Sequence, residues 1–339
     1  MLANDAAVEL RSYPASDTGT TSNQDSAPAA SAAQVFRLLT SGARAGHRGV
    51  LATITNLTGS GARAIGAHMA VLDNGSSAGS FSSGCIERAI VAEALEVLGE
   101  GASRTMRFGQ GSPYIDIRLP CGGGMDVLFL ADPATSVLER TLFSLEARHP
   151  VQLRLDPAGH LAASPDLSET TTGWRDGNFV VQHVPSLRLV LIGHGAEMLT
   201  SLKLAQSFGA EVELYSPDSE ILEAGPAEGV AAVRLTAADS PVNIHGDPWT
   251  AFLFLFHDHD WEPPLIRKAL GTESFWVGAM GSSSTHAARC AALAQVGLAE
   301  DVIARVHGPV GVIPGSRDPA TLALSALTEI VGAYRALSP

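Results

Sequence analysis

The sequence predicts an α/β protein, an N-terminal α+β unit followed by a Rossmann-like, doubly wound parallel sheet. Three observations carry that prediction. From Leu187 onward, short apolar runs alternate with helix-length stretches, as in parallel strands joined by crossover helices. Earlier apolar runs are separated by a hairpin signal and a single stretch of helical period, without that alternation. A chain of 339 residues also exceeds one ordinary core, so two domains are expected. The expected divisions are a disordered leader (1–33), an α+β domain (34–132), a connecting segment (133–184) and the Rossmann-like domain (185–339).

Asp17 to Ala33 is rich in Ser, Thr, Ala and Asp and has little to pack, which is the basis for the leader. A helix is expected from Ala32 to Leu39, then a strand at Gly49–Thr55. His68–Leu72 reads as a strand ending at Asp73-Asn74-Gly75, a hairpin signal. After Cys85, residues Ile86, Ala89, Ile90, Ala94, Leu95 and Leu98 recur at helical spacing up to Gly99. Met125–Leu130 is another strand. Val151–Leu155 and Phe179–Val181 are strand-like, with a loop expected at Pro165–Gly177. Leu189–Ile192, Glu211–Tyr215, Ala251–Phe256 and Phe275–Val277 are the strands of the parallel sheet. A last helix is expected from Ala320 to Leu337.

Composition excludes several classes. A net charge of −13 argues against nucleic-acid and anionic-membrane surfaces. Three cysteines make no disulfide framework and favour a reducing compartment. The start, Met1-Leu2-Ala3-Asn4-Asp5, lacks a basic stretch followed by an apolar one, so no signal peptide is expected. No apolar run reaches membrane-spanning length. A cytoplasmic protein is expected.

Two glycine-flanked cysteines are the leading site candidates. Ser83-Gly84-Cys85-Ile86-Glu87 and Pro120-Cys121-Gly122-Gly123-Gly124 lie in turn-like sequence. Glycine lets backbone N–H groups approach a ligand, and a thiolate is a soft nucleophile or metal ligand. They suggest a site for an anionic, sulfur- or metal-containing small molecule; the alternative is two small buried cysteines beside unrelated turns.

In the second unit, Gly193-His194-Gly195-Ala196-Glu197-Met198 follows a buried strand and opens a helix expected over Met198–Phe208. Such a turn sets backbone N–H groups against a phosphate. Met198 stands where a third glycine is usual, and Ser216, with Asp218 slightly late, stands where a ribose-binding acid is expected. NAD(P) is the cofactor open to this turn, and these two positions stand against it. His257-Asp258-His259-Asp260 follows a strand directly; continued alternation would place the histidines on one face and the aspartates on the other. It reads as a metal site or as a polar loop lining a ligand crevice, the metal needing more ligands than it supplies. Gly281 and Ser282 form a second strand–turn–helix junction, either an anion site or a solvated cap. Asp318 fits an N-cap with Pro319 following, and Arg317 is either a phosphate or carboxylate clamp or a surface cation. Cys290 reads as helix core. No nucleophile–base–orienter triad is visible.

In order, these segments resemble the xanthine dehydrogenase accessory family of the XdhC/CoxI type over about residues 34–336. The resemblance runs through Leu51-Ala52-Thr53-Ile54, Thr58-Gly59-Ser60, Gly66-Ala67-His68-Met69, Ser83-Gly84-Cys85-Ile86-Glu87 and Cys121-Gly122-Gly123. It continues through Leu189 to Gly195, His257-Asp258, Val277 to Ser282, His307 to Gly311 and Leu324 to Ile330. It implies a cytoplasmic, homodimeric accessory chaperone rather than an enzyme. Such a protein binds molybdenum cofactor, protects it while a terminal sulfido ligand is installed, and delivers it to a molybdenum hydroxylase. A cysteine desulfurase and the large subunit of a xanthine-dehydrogenase-like enzyme are the implied partners.

Carried onto this chain, the resemblance assigns Cys121 the main cofactor contact, including molybdenum, and Cys85 a supporting role. Gly84, Gly122, Gly123, Arg63, Gly193, Gly195, His257, Asp258, Gly281, Ser282 and Arg317 complete the expected cofactor-binding set. Molybdopterin offers a phosphate for glycine-turn N–H groups and a soft dithiolene centre for a thiolate. A thiolate at the helix start after Cys85 is favoured by the helix dipole. Two other readings remain. One is an NAD(P)-dependent oxidoreductase using the Rossmann unit, which the cysteine motifs do not match. The other is a scaffold joining desulfurase to apoenzyme without holding cofactor.

Overall fold

Ser31 and Gln34 close a capping box, each side chain bonded to the other's backbone N–H, and helix α1 (Ala32–Arg44) follows. The computed structural model describes residues 31–59, 61, 63–82, 86–112, 122–165, 167 and 171–337. The helix begins within the stretch expected to be a leader and runs past Leu39; residues 1–30, Gly84, Cys85 and Cys121 lie outside the described residues.

The first sheet contains β1 (Gly49–Thr58), β2 (His68–Leu72), β3 (Ser77–Ala78), β4 (Arg104–Gly109) and β5 (Gly124–Ala131) in the order β3-β2-β1-β5-β4. Every neighbouring pair is antiparallel. The β2–β3 hairpin turns at Asp73-Asn74-Gly75, with Gly75 at φ +83°. Both faces are covered, so β1 is buried from Gly49 to Thr55, its apolar residues interrupted only by the buried Thr53 and Thr55. Leu51 packs towards α1, whereas Val50, Ala52 and Ile54 pack towards α2 (Glu87–Glu100) through Ile90, Ala94 and Val97.

Residues 133–184 are more than the connection expected from the sequence. Helix α3 (Thr135–Glu146) packs beside α1, and a four-stranded antiparallel sheet follows. Its strands are β6 (Val151–Leu155), β7 (Leu161–Ser164), β8 (Gly173–Arg175) and β9 (Asn178–His183), in the order β7-β6-β9-β8. The end of the expected loop, Pro165–Gly177, is a tight hairpin. Arg175 pairs with Asn178 across Asp176-Gly177, whose φ values of 44° and 80° are those of a two-residue primed turn. Leu153, Leu155, Phe179 and Val181 join the same core as Phe36 and Leu51, so this sheet is built onto the first unit.

The second unit is a six-stranded parallel sheet. Its elements are β10 (Arg188–Gly193), α4 (Ala196–Ser207), β11 (Glu211–Ser216), α5 (Ser219–Ala227), β12 (Ala231–Arg234), β13 (Thr250–Leu255), α6 (Glu262–Leu270), β14 (Trp276–Ala279), α7 (Ser283–Gln295), the short α8 (Glu300–Ile303), β15 (Val306–His307) and α9 (Pro319–Leu337). The order β12-β11-β10-β13-β14-β15 is the doubly wound arrangement, with its switch point between β10 and β13. Helices α4, α5 and α9 cover one face through Leu202, Ile221 and Ile330, and α6 and α7 cover the other through Leu265, Ile266 and Leu293. Arg148, just after α3, joins the units: it grips the Asp247 carboxylate at 2.8 and 3.2 Å and donates to the Ser186 carbonyl at 2.7 Å.

Candidate functional site at two sets of strand ends

In the first unit, β1, β5 and β4 end together. Gly59 (φ +77°) lies so close to Gly123 that a Cβ on it would sit 3.2 Å from the Gly123 Cα. Gly122, at φ +68°, takes a left-handed conformation that favours glycine. Arg107 ties these ends, donating to the Gln110 carbonyl (2.7 Å), Asp126 Oδ1 (2.9 Å) and Thr58 Oγ1 (2.9 Å). Gly122 is thus held exposed at this strand end and Gly123 buried behind it, directly after Cys121 in the sequence.

Beside the other cysteine segment, the described residues before and after it share one carboxylate. The Glu87 carboxylate, at the start of α2, accepts from the backbone N–H of Phe81 (3.0 Å), Ser82 (2.7 Å) and Ile86 (3.2 Å). It also accepts from the hydroxyls of Ser80 and Ser82, each at 2.8 Å. Partial burial opposes its ionisation, but the Ser82 amide and the Ser80 and Ser82 hydroxyls outweigh that and hold the carboxyl at about 2. The residues flanking Ser83-Gly84-Cys85 are therefore fixed by one anion. Arg63, half-buried, donates from Nε to the Ser80 carbonyl at 3.1 Å on the same loop. In the sequence Glu87 is only the last residue of a motif; in the structure it organises this loop.

In the second unit, the structure brings Gly193, Gly195 and His257 together at the switch point. A Cβ on Gly193 would lie 2.4 Å from the Leu255 carbonyl oxygen, and one on Gly195 would lie 3.8 Å from His257 Nε2. His194 Nε2 accepts from the His257 backbone N–H at 3.3 Å, so its neutral ring carries the proton on Nδ1. His257 Nε2 is 3.6 Å from Glu197 Oε2. Met198 is fully buried in the core, and helix α4 starts at Ala196, two residues before the expected start. Ser216 is fully buried and accepts from the Asp218 N–H at 3.0 Å, while the Asp218 carboxylate caps α5 through the Glu220 N–H.

The alternation expected for His257-Asp258-His259-Asp260 does not occur, because β13 stops at Leu255 and Asp258 caps a short 3-10 turn over His259–Trp261. The two histidines take separate neighbours. His259 Nδ1 is 3.2 Å from Glu262 Oε1. Glu262 is wholly buried and paired with Arg289 at 2.7 and 3.1 Å, and Arg289 also donates to the Met280 carbonyl at 2.6 Å. This pair supports the Met280–Gly281 turn from beneath; its partners are 27 residues apart, too far for a local pattern to link them. Gly281 (φ +137°) approaches Thr285, and Ser282 caps α7 by accepting from the Thr285 N–H at 3.1 Å. Asp318 caps α9 through the Thr321 N–H at 2.8 Å. Arg317 beside it is exposed and makes no hydrogen bond or ion pair among the described residues. Cys290 is half-buried against the core, its Sγ 3.6 Å from His286 Nε2. Among the described residues, no group of three His, Cys, Asp or Glu side chains could hold a metal ion, and no helix is long and apolar enough to cross a membrane.

An antiparallel α+β unit with glycine-lined strand ends, joined to a six-stranded doubly wound sheet, defines a two-unit protein of the Rossmann-containing class. Residues 43–109 match the model of the XdhC and CoxI family, and residues 189–330 match that of the XdhC Rossmann domain. The chain is 36% identical over 301 residues to the molybdenum cofactor insertion chaperone PaoD of Escherichia coli K12, covering 87% of this chain and 86% of that protein. It belongs to the XdhC/CoxI family. It is also 26% identical over 222 residues to the uncharacterized protein YqeB of the same organism, of which it covers 37%. A crystal structure described as a xanthine dehydrogenase from Bacillus halodurans shares the fold, with a TM-score of 0.72 at 21% identity over 89% of this chain and 96% of that one.

Proposed function

We propose that this chain is an accessory chaperone whose cargo is molybdenum cofactor, which it holds during sulfuration and delivers to a xanthine-dehydrogenase-like molybdenum hydroxylase. The observation that carries the reading is the 36% identity to a molybdenum cofactor insertion chaperone over 86% of that protein's length. In this reading the protein is cytoplasmic and homodimeric, takes sulfur from a cysteine desulfurase, docks on the hydroxylase large subunit, and is not itself an enzyme. Cys121 contacts molybdenum and Cys85 supports it. The geometry around both segments is compatible with that role. Gly59 and Gly122 are exposed, with open space around the position of a Cβ on Gly122, and Glu87 fixes the residues on either side of Ser83–Cys85. A soft thiolate suits a molybdenum–dithiolene centre.

The NAD(P)-dependent oxidoreductase reading rests on the sheet order and on the Gly193–Gly195 turn. Ser216 is buried and Asp218 is committed to capping α5, so the ribose-binding carboxylate that the dinucleotide fold ordinarily supplies is missing there.

Metal and pterin analysis of protein purified from a molybdate-fed host tests the proposal. Near-stoichiometric pterin and molybdenum are expected, with loss of both in Cys121→Ala. Bound nicotinamide would favour the oxidoreductase, and neither ligand would leave only a scaffold. Retention by Cys121→Ala equal to the parent would remove the role given to that residue.

A further inference from the structure

Where the first sheet meets the sheet of residues 151–183, a cavity of about 340 Å³ opens beneath the loop that carries Arg63. It is lined by Arg63, His68, Ser80, Thr172 and His183 among others. Gly66 (φ +89°) brings the loop onto the second sheet: a Cβ there would lie 2.9 Å from Val181 and 3.0 Å from Thr172. A joint that served packing alone would be filled by side chains at interior density. This one is left open, at the lower end of the range for small-ligand pockets.

Its inner wall is a hydrogen-bonded chain. Thr53 Oγ1 lies 2.8 Å from His68 Nδ1, and His68 Nε2 lies 3.1 Å from His183 Nε2. Both imidazoles are at least nine-tenths buried, and the Phe36 ring packs on both. Burial, with the neighbouring His183 second, pushes the His68 pKa well below its usual value; burial alone lowers that of His183 to about 4. Two neutral rings sharing one proton between their Nε2 atoms leave one open position, Nδ1 of His183, which has no hydrogen-bond partner among the described residues. If His68 donates, that Nδ1 carries a proton and is a donor; if His183 donates, it is an acceptor, and Thr53 accepts from His68. The chain can therefore match either kind of ligand atom by shifting tautomer.

The mouth supplies a charge. In a protein of net charge −13, none of the described residues that line the cavity is acidic, and Arg63 is the one permanent cation among them. Its single bond among the described residues is from Nε to the Ser80 carbonyl, which leaves both terminal nitrogens available to an anion.

We propose that this cavity is the seat of a pterin phosphate, the heterocycle's amide edge meeting His183 and the phosphate meeting Arg63. This deepens the chaperone reading and rests on it. It places the organic part of the cargo between the first two sheets, with Ser80 on the loop that leads to Cys85.

The test uses full-length protein purified from a molybdate-supplied host, with bound pterin released by oxidation and quantified per protomer by fluorescence. Arg63→Ala and His183→Leu are compared with the parent, each checked for an unchanged thermal midpoint. At least a tenfold loss of pterin in Arg63→Ala with a parental midpoint is expected, with a similar loss in His183→Leu. Arg63 is half-exposed and makes one bond, so Arg63→Ala decides the matter should His183→Leu fold poorly. Parental pterin content in Arg63→Ala would overturn the site and leave the chaperone reading standing. A parent protein without pterin would overturn the chaperone reading and the site with it.

Discussion

Removing one partner of the Glu262–Arg289 pair should destabilise the second unit more than almost any other single change of polar residue. The Glu262 side chain is 0% exposed and that of Arg289 1%. Two charge-assisted bonds join them, and a third bond runs from the guanidinium to the Met280 carbonyl. Glu262→Leu leaves a buried cation with one neutral acceptor, at a cost of about 3–5 kcal/mol for a broken buried pair. For a unit of this size that corresponds to a fall of about 6–20 °C in Tm. The double variant Glu262→Leu/Arg289→Met removes both charges together. Apolar replacement of a whole pair is close to neutral, and the unpaired Met280 carbonyl adds about 1–3 kcal/mol, so the double should be more stable than Glu262→Leu alone. Urea denaturation of the parent, both singles and the double closes the cycle. A loss below about 1 kcal/mol for Glu262→Leu, or a double variant that sums the two single losses, would refute the assignment.

Two further expectations concern pH. Glu87 is held at about 2 against an ordinary 4.5, so its contribution is complete above about pH 5 and is lost as pH falls towards 2. Glu87→Gln should therefore destabilise the first unit at pH 7, with a deficit that shrinks on acidification; a deficit unchanged between pH 7 and 3 would contradict this. The buried histidines act over a higher window. The unfolded chain takes up protons near 6.5, whereas His183 in the folded protein stays neutral down to about 4, and His68 is shifted in the same direction. Stability that is complete above 6.5 should fall through that window, by up to about tenfold in the folding constant per pH unit for each group. His183→Leu should flatten the slope between pH 6.5 and 4, and an imidazole midpoint near 6.5 for His183 by NMR would contradict the assignment.

What the sequence revealed followed burial. Strands β10 and β13 are covered on both faces, so Leu189–Ile192 and Ala251–Phe256 are unbroken apolar runs that give themselves away. Helix α2 shows its period because one face packs on the first sheet. Strand β4 carries no apolar signature: Arg104 lies on it and pairs with Glu93, Glu96 and Glu100, so it reads as solvated chain. The hairpin joining β8 and β9 has a signal in Asp176-Gly177, but it is flanked by a strand of three residues whose Trp174 is exposed. Contacts of long range had no signal at all. His68 and His183 are 115 residues apart, and no local pattern ties one histidine to another across that distance. The same limit applies to the metal reading of His257–Asp260, which depended on where β13 stops; the Asp258 cap, not alternation, decides it.

The two sets of strand ends are built differently, and the difference bears on where cargo would sit. At the switch point of the parallel sheet, positions that hold a dinucleotide in other proteins are already engaged. Ser216 binds the Asp218 N–H, Asp218 caps α5, and the His257 N–H is taken by His194. A nucleotide there would have to displace bonds the protein makes with itself. In the first unit the internal bonds lie around the candidate segments instead. Arg107 anchors the strands beside Gly122–Gly124, Glu87 anchors both sides of Ser83–Cys85, and Thr53 anchors the histidine chain. What these anchors leave uncommitted is the guanidinium end of Arg63 and Nδ1 of His183, a cation and an adaptable hydrogen-bonding atom on two residues that line one cavity. Preorganised surroundings with open contact atoms are what tight binding of a fragile ligand requires, and in this chain they occur together in the first unit.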